Sequence, residues 1–120
     1  MFNFLRPSST QPKTSISDVI AKAKSGDILL IDVREKSELQ SSGTAQGAAH
    51  IPLALMAMKA DPKSPDFDKR FKPGKPVAVF CASGGRSGQA AATLQRLGYE
   101  AINLGGFGNW VNAGGPVVRV

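Results

Sequence analysis

Val77-Ala78-Val79-Phe80-Cys81-Ala82-Ser83-Gly84-Gly85-Arg86-Ser87 holds the transition that decides the fold of this sequence. The run up to Cys81 is short, apolar and rich in β-branched or aromatic side chains, which reads as a buried strand. After Arg86 the chain turns Ala-rich, with Ala90, Ala91, Leu94 and Leu97 on one face and Gly98 as a stop, which predicts a helix. Cys81 is therefore expected at the carboxyl end of a strand, facing a helix N-terminus. There the unpaired N–H groups of the turn converge on one bowl, and the helix dipole favours negative charge. A free thiol titrates near about 8.5 and falls to roughly 3.5–7.5 in such surroundings, so Cys81 is a candidate nucleophile. The plainer alternative is an inert thiol ending a core strand. A glycine-rich, polar, cation-bearing turn argues against it.

Working outward, Ile16, Val19, Ile20 and Ala23 recur at helical spacing, with Ser17 as a possible cap and Gly26 as a stop. Ile28 to Val33 is continuously apolar except for Asp32, the pattern of a parallel strand covered on both faces. A short polar helix from about Glu35 to Gln40, an extended His50-Ile51-Pro52 and an apolar helix from about Leu53 to Lys59 follow. Ala101 to Leu104 predicts another strand, and residues 107–113 a closing helix docked by Trp110 and Val111. Alternating helices and strands imply an α/β domain around a parallel sheet. In such sheets ligands bind beyond the carboxyl ends of the strands, where Asp32, Arg34, Cys81 and Gly105-Gly106 all fall.

At 120 residues the chain is one domain, expected over 15–120, preceded by a mobile arm over 1–14 that is rich in Pro, Ser and Thr. One cysteine forbids an internal disulfide and leaves no second thiol to resolve an oxidised Cys81. The apolar start, Met1 to Leu5, is broken by Asn3 and closed by Arg6-Pro7, short of a secretion signal, and no run approaches the ~20 apolar residues of a membrane span. A cytoplasmic location without a membrane partner is expected. Fifteen Lys and Arg against nine Asp and Glu give a net charge of +6. The lysines between Lys59 and Lys75 alternate with Asp61, Asp66 and Asp68 and are punctuated by Pro62, Pro65 and Pro73, the pattern of a solvated loop, so nucleic acid is not an expected partner.

The loop spacing is specific. Four residues, Ala82 to Gly85, separate Cys81 from Arg86, whereas tyrosine-phosphatase-type loops have five. The loop resembles that of the rhodanese family, sulfurtransferases that carry a persulfide on cysteine. Asp32-Val33-Arg34-Glu35 resembles the family's Asp-Val-Arg strand end, and Gly47-Ala48-Ala49-His50-Ile51-Pro52 its Gly-Ala-x-His-Ile-Pro segment. Leu104-Gly105-Gly106 with Trp110 resembles its closing turn. The resemblance covers roughly 15–115. It implies a rhodanese-like α/β fold, with a central, mostly parallel sheet of about five strands and helices on both faces.

The resemblance also implies roles. Cys81 takes sulfane sulfur from a donor such as thiosulfate and yields it to cyanide, a thiol or a sulfur-carrier protein, without a metal or organic cofactor. The N–H groups of Ala82, Ser83, Gly84, Gly85, Arg86 and Ser87 cradle the charge, with both Gly84 and Gly85 supplying unusual dihedrals. Arg86 can fork to an oxyanion, and Ser83 or Ser87 can bond sulfur, although capping or loop closure suits Ser87 better. Asp32, Arg34 and His50 are structural neighbours of the site; one histidine and one cysteine fall short of a zinc site. Competing readings are a cysteine phosphatase or arsenate reductase on the same scaffold and a non-catalytic binding module.

Overall fold

A computed structural model describes residues 15–120; the arm expected over 1–14 lies outside them. Helix α1 (Ile16–Ser25) is capped by Ser15, whose Oγ accepts from Asp18 N at 3.1 Å, rather than by Ser17. The helix starts one residue before Ser17, so a cap must lie outside it. Gly26 ends it in the left-handed region, φ 85°.

Strand β1 (Leu29–Asp32) leads into α2 (Lys36–Ser42), then β2 (Thr44–Ala45) and β3 (Ala49–His50). A 3-10 turn (Leu53–Leu55) precedes α3 (Met56–Ala60), where a single helix was expected. Strand β4 (Val77–Cys81), helix α4 (Gly85–Arg96), strand β5 (Ala101–Gly106), helix α5 (Phe107–Asn112) and strand β6 (Val117–Val118) complete the order.

The central sheet has four parallel strands in the order β3-β1-β4-β5, and β2 pairs with β6 in a separate antiparallel ribbon. Alternate residues of each strand face opposite sides. Leu29, Ile31, Val77, Val79 and Cys81 pack with Met56 and Ala60 of α3 and Ala90, Ala91 and Leu94 of α4. Leu30, Ala78, Phe80, Ile102 and Leu104 pack with Val19 of α1 and Trp110 of α5. Covering on both faces is why β1 and β4 lack a polar alternation. Trp110 docks α5 as expected, but Val111 is 45% exposed, because the neighbouring position points away from the core. No helix among the described residues is long and apolar enough to cross a membrane.

One irregularity matters for the site. Val79 pairs with Asn103 but Phe80 with Gly105, so β5 carries a bulge at Leu104 beside the end of β4. Bulges of this kind re-aim side chains at the rims of sheets.

Candidate active site

Cys81 is the last residue of β4 and is buried. Three residues later Gly84 adopts φ 105°, a left-handed turn that an L side chain adopts only under strain, and α4 begins at Gly85. Gly84 occupies the cap position without a side-chain cap, so the first N–H groups of α4 remain free to serve the sulfur. Gly84 N donates to Cys81 Sγ at 2.9 Å, Ser87 N at 3.4 Å, and Ser87 Oγ lies 3.3 Å from it. Burial pushes the thiol up, but bonds from the Ser87 hydroxyl and from the Ser87, Gly84 and Ser83 amides outweigh it and bring the thiol down to about 7.

Of the two loop glycines only Gly84 needs the positive φ. Gly85 lies outside the left-handed region, with open space where a Cβ would stand, which corrects the expectation that both supply unusual dihedrals. Gly106 has a different duty: a Cβ there would come within 2.5 Å of the Ala82 carbonyl oxygen. The end of β5 is thus pressed against the exposed Ala82-Ser83 turn.

Arg86 lies in the first turn of α4, but its fork is engaged: Nη1 and Nη2 donate to Oε1 and Oε2 of Glu38 at 2.6 and 2.8 Å. Glu38 also accepts from Glu35 N at 2.9 Å, closing a capping box on α2. The Arg86 guanidinium and the Glu35 amide hold the Glu38 carboxyl at about 2, and Arg86 is raised in return. Glu38 was not singled out in the sequence. Its one signal was the Glu-x-x-Glu spacing at a helix start.

Ser87 is the third residue of α4 and buried, too far inside the helix to cap it. Its hydroxyl closes the loop on Gly84 O at 3.2 Å and meets Asn103 Oδ1 at 2.7 Å. Asn103 of β5 also escaped the sequence reading, although a lone polar residue between Ile102 and Leu104 in an apolar strand marked it.

Asp32, Arg34 and His50 form a second network on the neighbouring strands. Arg34 Nη2 donates to Asp32 Oδ2 at 2.8 Å, and Thr44 Oγ1 donates to the same oxygen at 2.7 Å. His50 Nε2 lies 2.7 Å from the Arg34 carbonyl, which only accepts, so that nitrogen carries the proton. Among the described residues none of their bonds reaches Cys81, and the arrangement contains no Cys–His dyad.

The family model of the Rhodanese-like domain matches residues 15–113. The chain belongs to this family. A sulfurtransferase of Allochromatium vinosum is 34% identical over 98 residues, covering 80% of this chain and 83% of that protein. The thiosulfate:glutathione sulfurtransferase of Saccharomyces cerevisiae is 31% identical, over 74% of this chain and 68% of its own length. Among solved structures, a Rhodopseudomonas palustris protein of unknown function, described as a possible tyrosine phosphatase, superposes with a TM-score of 0.77. It is 34% identical, and the match spans 92% of this chain and 87% of that one. The rhodanese-like fold, with its parallel sheet and flanking helices, is thus shared with solved structures.

Proposed function

We propose that this rhodanese-like domain is a sulfurtransferase acting through a Cys81 persulfide. The Cys81 thiolate attacks the outer sulfur of a donor such as thiosulfate. A Cys81 S–S bond forms, the donor's S–S bond breaks, and sulfite leaves with its electron pair. A thiophilic acceptor, cyanide in vitro or a thiol or carrier protein in the cell, then attacks the outer sulfur and returns the thiolate. The observation that carries this reading is the sulfur itself: an activated thiol at a strand end, with the Gly84 and Ser87 amides aimed at it. Names of relatives support the same class. A reducing compartment such as the cytoplasm suits a lone reactive thiol.

The likeness to the possible tyrosine phosphatase supports a second reading, hydrolysis of phosphate esters at the same cysteine. Four residues between Cys81 and Arg86 form a tighter ring than phosphatase loops use, and the Arg86 fork is held by Glu38. The two readings separate in one experiment. The protein is incubated with thiosulfate, desalted without reductant and weighed intact, in parallel with an aryl-phosphate assay. Sulfur transfer requires the mass of one added sulfur on the native chain, none on Cys81→Ser, and loss of thiocyanate formation in that variant. Thiocyanate formation by a natively melting Cys81→Ser, or aryl-phosphate hydrolysis as fast as sulfur transfer, overturns it.

A further inference from the structure

The Ser87 hydroxyl has one proton and three acceptors around it. Asn103 Oδ1 lies at 2.7 Å, the Gly84 carbonyl at 3.2 Å and Cys81 Sγ at 3.3 Å. The orientation of the Asn103 amide is fixed by its other partners, since Nδ2 donates to Gly84 O at 3.2 Å and Oδ1 accepts from Gly105 N at 2.8 Å. The bulge at Leu104 brings Gly105 N to that oxygen. Asn103 Oδ1 is therefore a committed acceptor and the nearest one. While the proton points to it, Ser87 Oγ turns a lone pair toward Sγ, which suits a neutral thiol able to donate S–H. A thiolate needs the reverse, because it only accepts.

We propose that Asn103 is a positioning residue that competes with the Cys81 sulfur for the Ser87 hydroxyl proton, so that ionisation of the thiol and rotation of this hydroxyl are one coupled event. No covalent bond changes in it. The proton stays on Ser87 Oγ throughout and only its acceptor changes. The charged group facing the sulfur is Arg86 on α4, tied to Glu38 of α2 with Glu35 behind it, and on the adjoining strand the Asp32–Arg34 pair sits at and just past the end of β1. The Ser87 hydroxyl bonds to none of them. In sulfur transfer, and resting on the reading above, charge moves from Sγ to the outer sulfur once the persulfide forms. The hydroxyl then returns to Asn103, and it turns back toward Sγ when the acceptor regenerates the thiolate.

The test uses alkylation of Cys81 and needs no sulfur donor, so it can fail separately from the sulfurtransferase reading. The rate of iodoacetamide alkylation against pH is measured for the native chain, Asn103→Leu, Asn103→Asp, Ser87→Ala and the two double variants. Asn103→Leu removes the competing acceptor and should lower the midpoint by about one unit, close to tenfold faster alkylation below it. Asn103→Asp holds the proton more tightly and should raise the midpoint. Both shifts should shrink in the Ser87→Ala background, that of Leu to nothing, since Asn103 acts through the hydroxyl. A merely structural Asn103 gives the opposite sign for Leu, because a loosened loop weakens the amide bonds to sulfur. A raised midpoint in Asn103→Leu, or a shift that survives whole in Ser87→Ala, overturns the proposal. If Asn103→Leu does not fold, the Asn103→Asp shift with and without Ser87 decides.

Discussion

Two arginines meet carboxylates in opposite surroundings, and each pair does different work. Arg34 and Asp32 are buried, with side-chain exposures of 4% and 0%. Arg34 places Nε and Nη2 on Asp32, Nη1 on Ser42 Oγ at 2.9 Å and Nη2 also on Gly43 O at 2.9 Å, while its guanidinium lies 4.6 Å from the centre of the Phe107 ring. Every oxygen of the carboxylate and most of the fork are thereby satisfied, the condition under which a desolvated ion pair persists. Arg86 and Glu38 are each about one-third exposed, at 34% and 32%, and rest on two bonds to each other. The buried pair shapes the ends of β1 and β3; the exposed pair sets the charge beside the cysteine loop. Both follow one rule of geometry, a planar fork against a carboxylate, and burial alone separates scaffold from electrostatics.

Removing a partner should show the difference most sharply in stability. Asp32→Ala leaves the Arg34 guanidinium buried without its counter-charge, for an expected loss of about 3–5 kcal/mol in urea denaturation. A loss below ~1 kcal/mol would mean that Arg34 finds water or another partner, and the contrast between the pairs would collapse. The corresponding Glu38→Gln should move stability by less than about 1 kcal/mol. Its effect should appear in the chemistry, because release of the Arg86 fork gives an oxyanion donor a bidentate partner. Loading of Cys81 from thiosulfate should then quicken by about three- to tenfold at low salt, and less at high salt. An unchanged loading rate would assign the pair to α2 capping alone.

The smallest effect is a pH dependence. The Glu38 carboxyl is held at about 2, below its ordinary 4.5, chiefly by Arg86. A depressed carboxyl stabilises the fold fully above its unfolded value and loses that contribution as pH falls toward the folded one. The stability difference between the native chain and Glu38→Gln should therefore be constant above about 4.5 and vanish toward about 2. Solvent screening of so exposed a pair keeps its amplitude within about 1 kcal/mol. Melting temperatures across that range, with and without added salt, measure it. A difference that grows on acidification would reverse the sign and deny the pairing in solution.

The sequence made the strands, the cysteine turn and the helix behind it readable because each is local: apolar continuity, a glycine pair and an alanine face lie within a few residues. It also placed Cys81, Asp32 and Gly106 on one edge, since parallel strands leave little choice. What escaped it was long-range. Glu38 and Arg86 are 48 residues apart, and Ser87 and Asn103 are 16 apart. No spacing rule brings such partners together. The bulge that sets Gly105 against Phe80 shifts the register by one residue, which pattern alone does not reveal. The exchange of Ser17 for Ser15 as cap is a smaller miss of the same boundary kind.

The short ribbon of β2 and β6 has a mechanical consequence. Thr44 pairs with Val118 and Ala45 with Val117, while Gly43 packs so closely on the Val118 carbonyl that a Cβ there would stand 2.6 Å from its oxygen. Gly43 O in turn accepts from Arg34. Tension applied at Val120 therefore loads this latch first, and through Gly43 the arginine beneath it. A fused domain or surface tether at that end pulls first on this frame rather than on the sulfur.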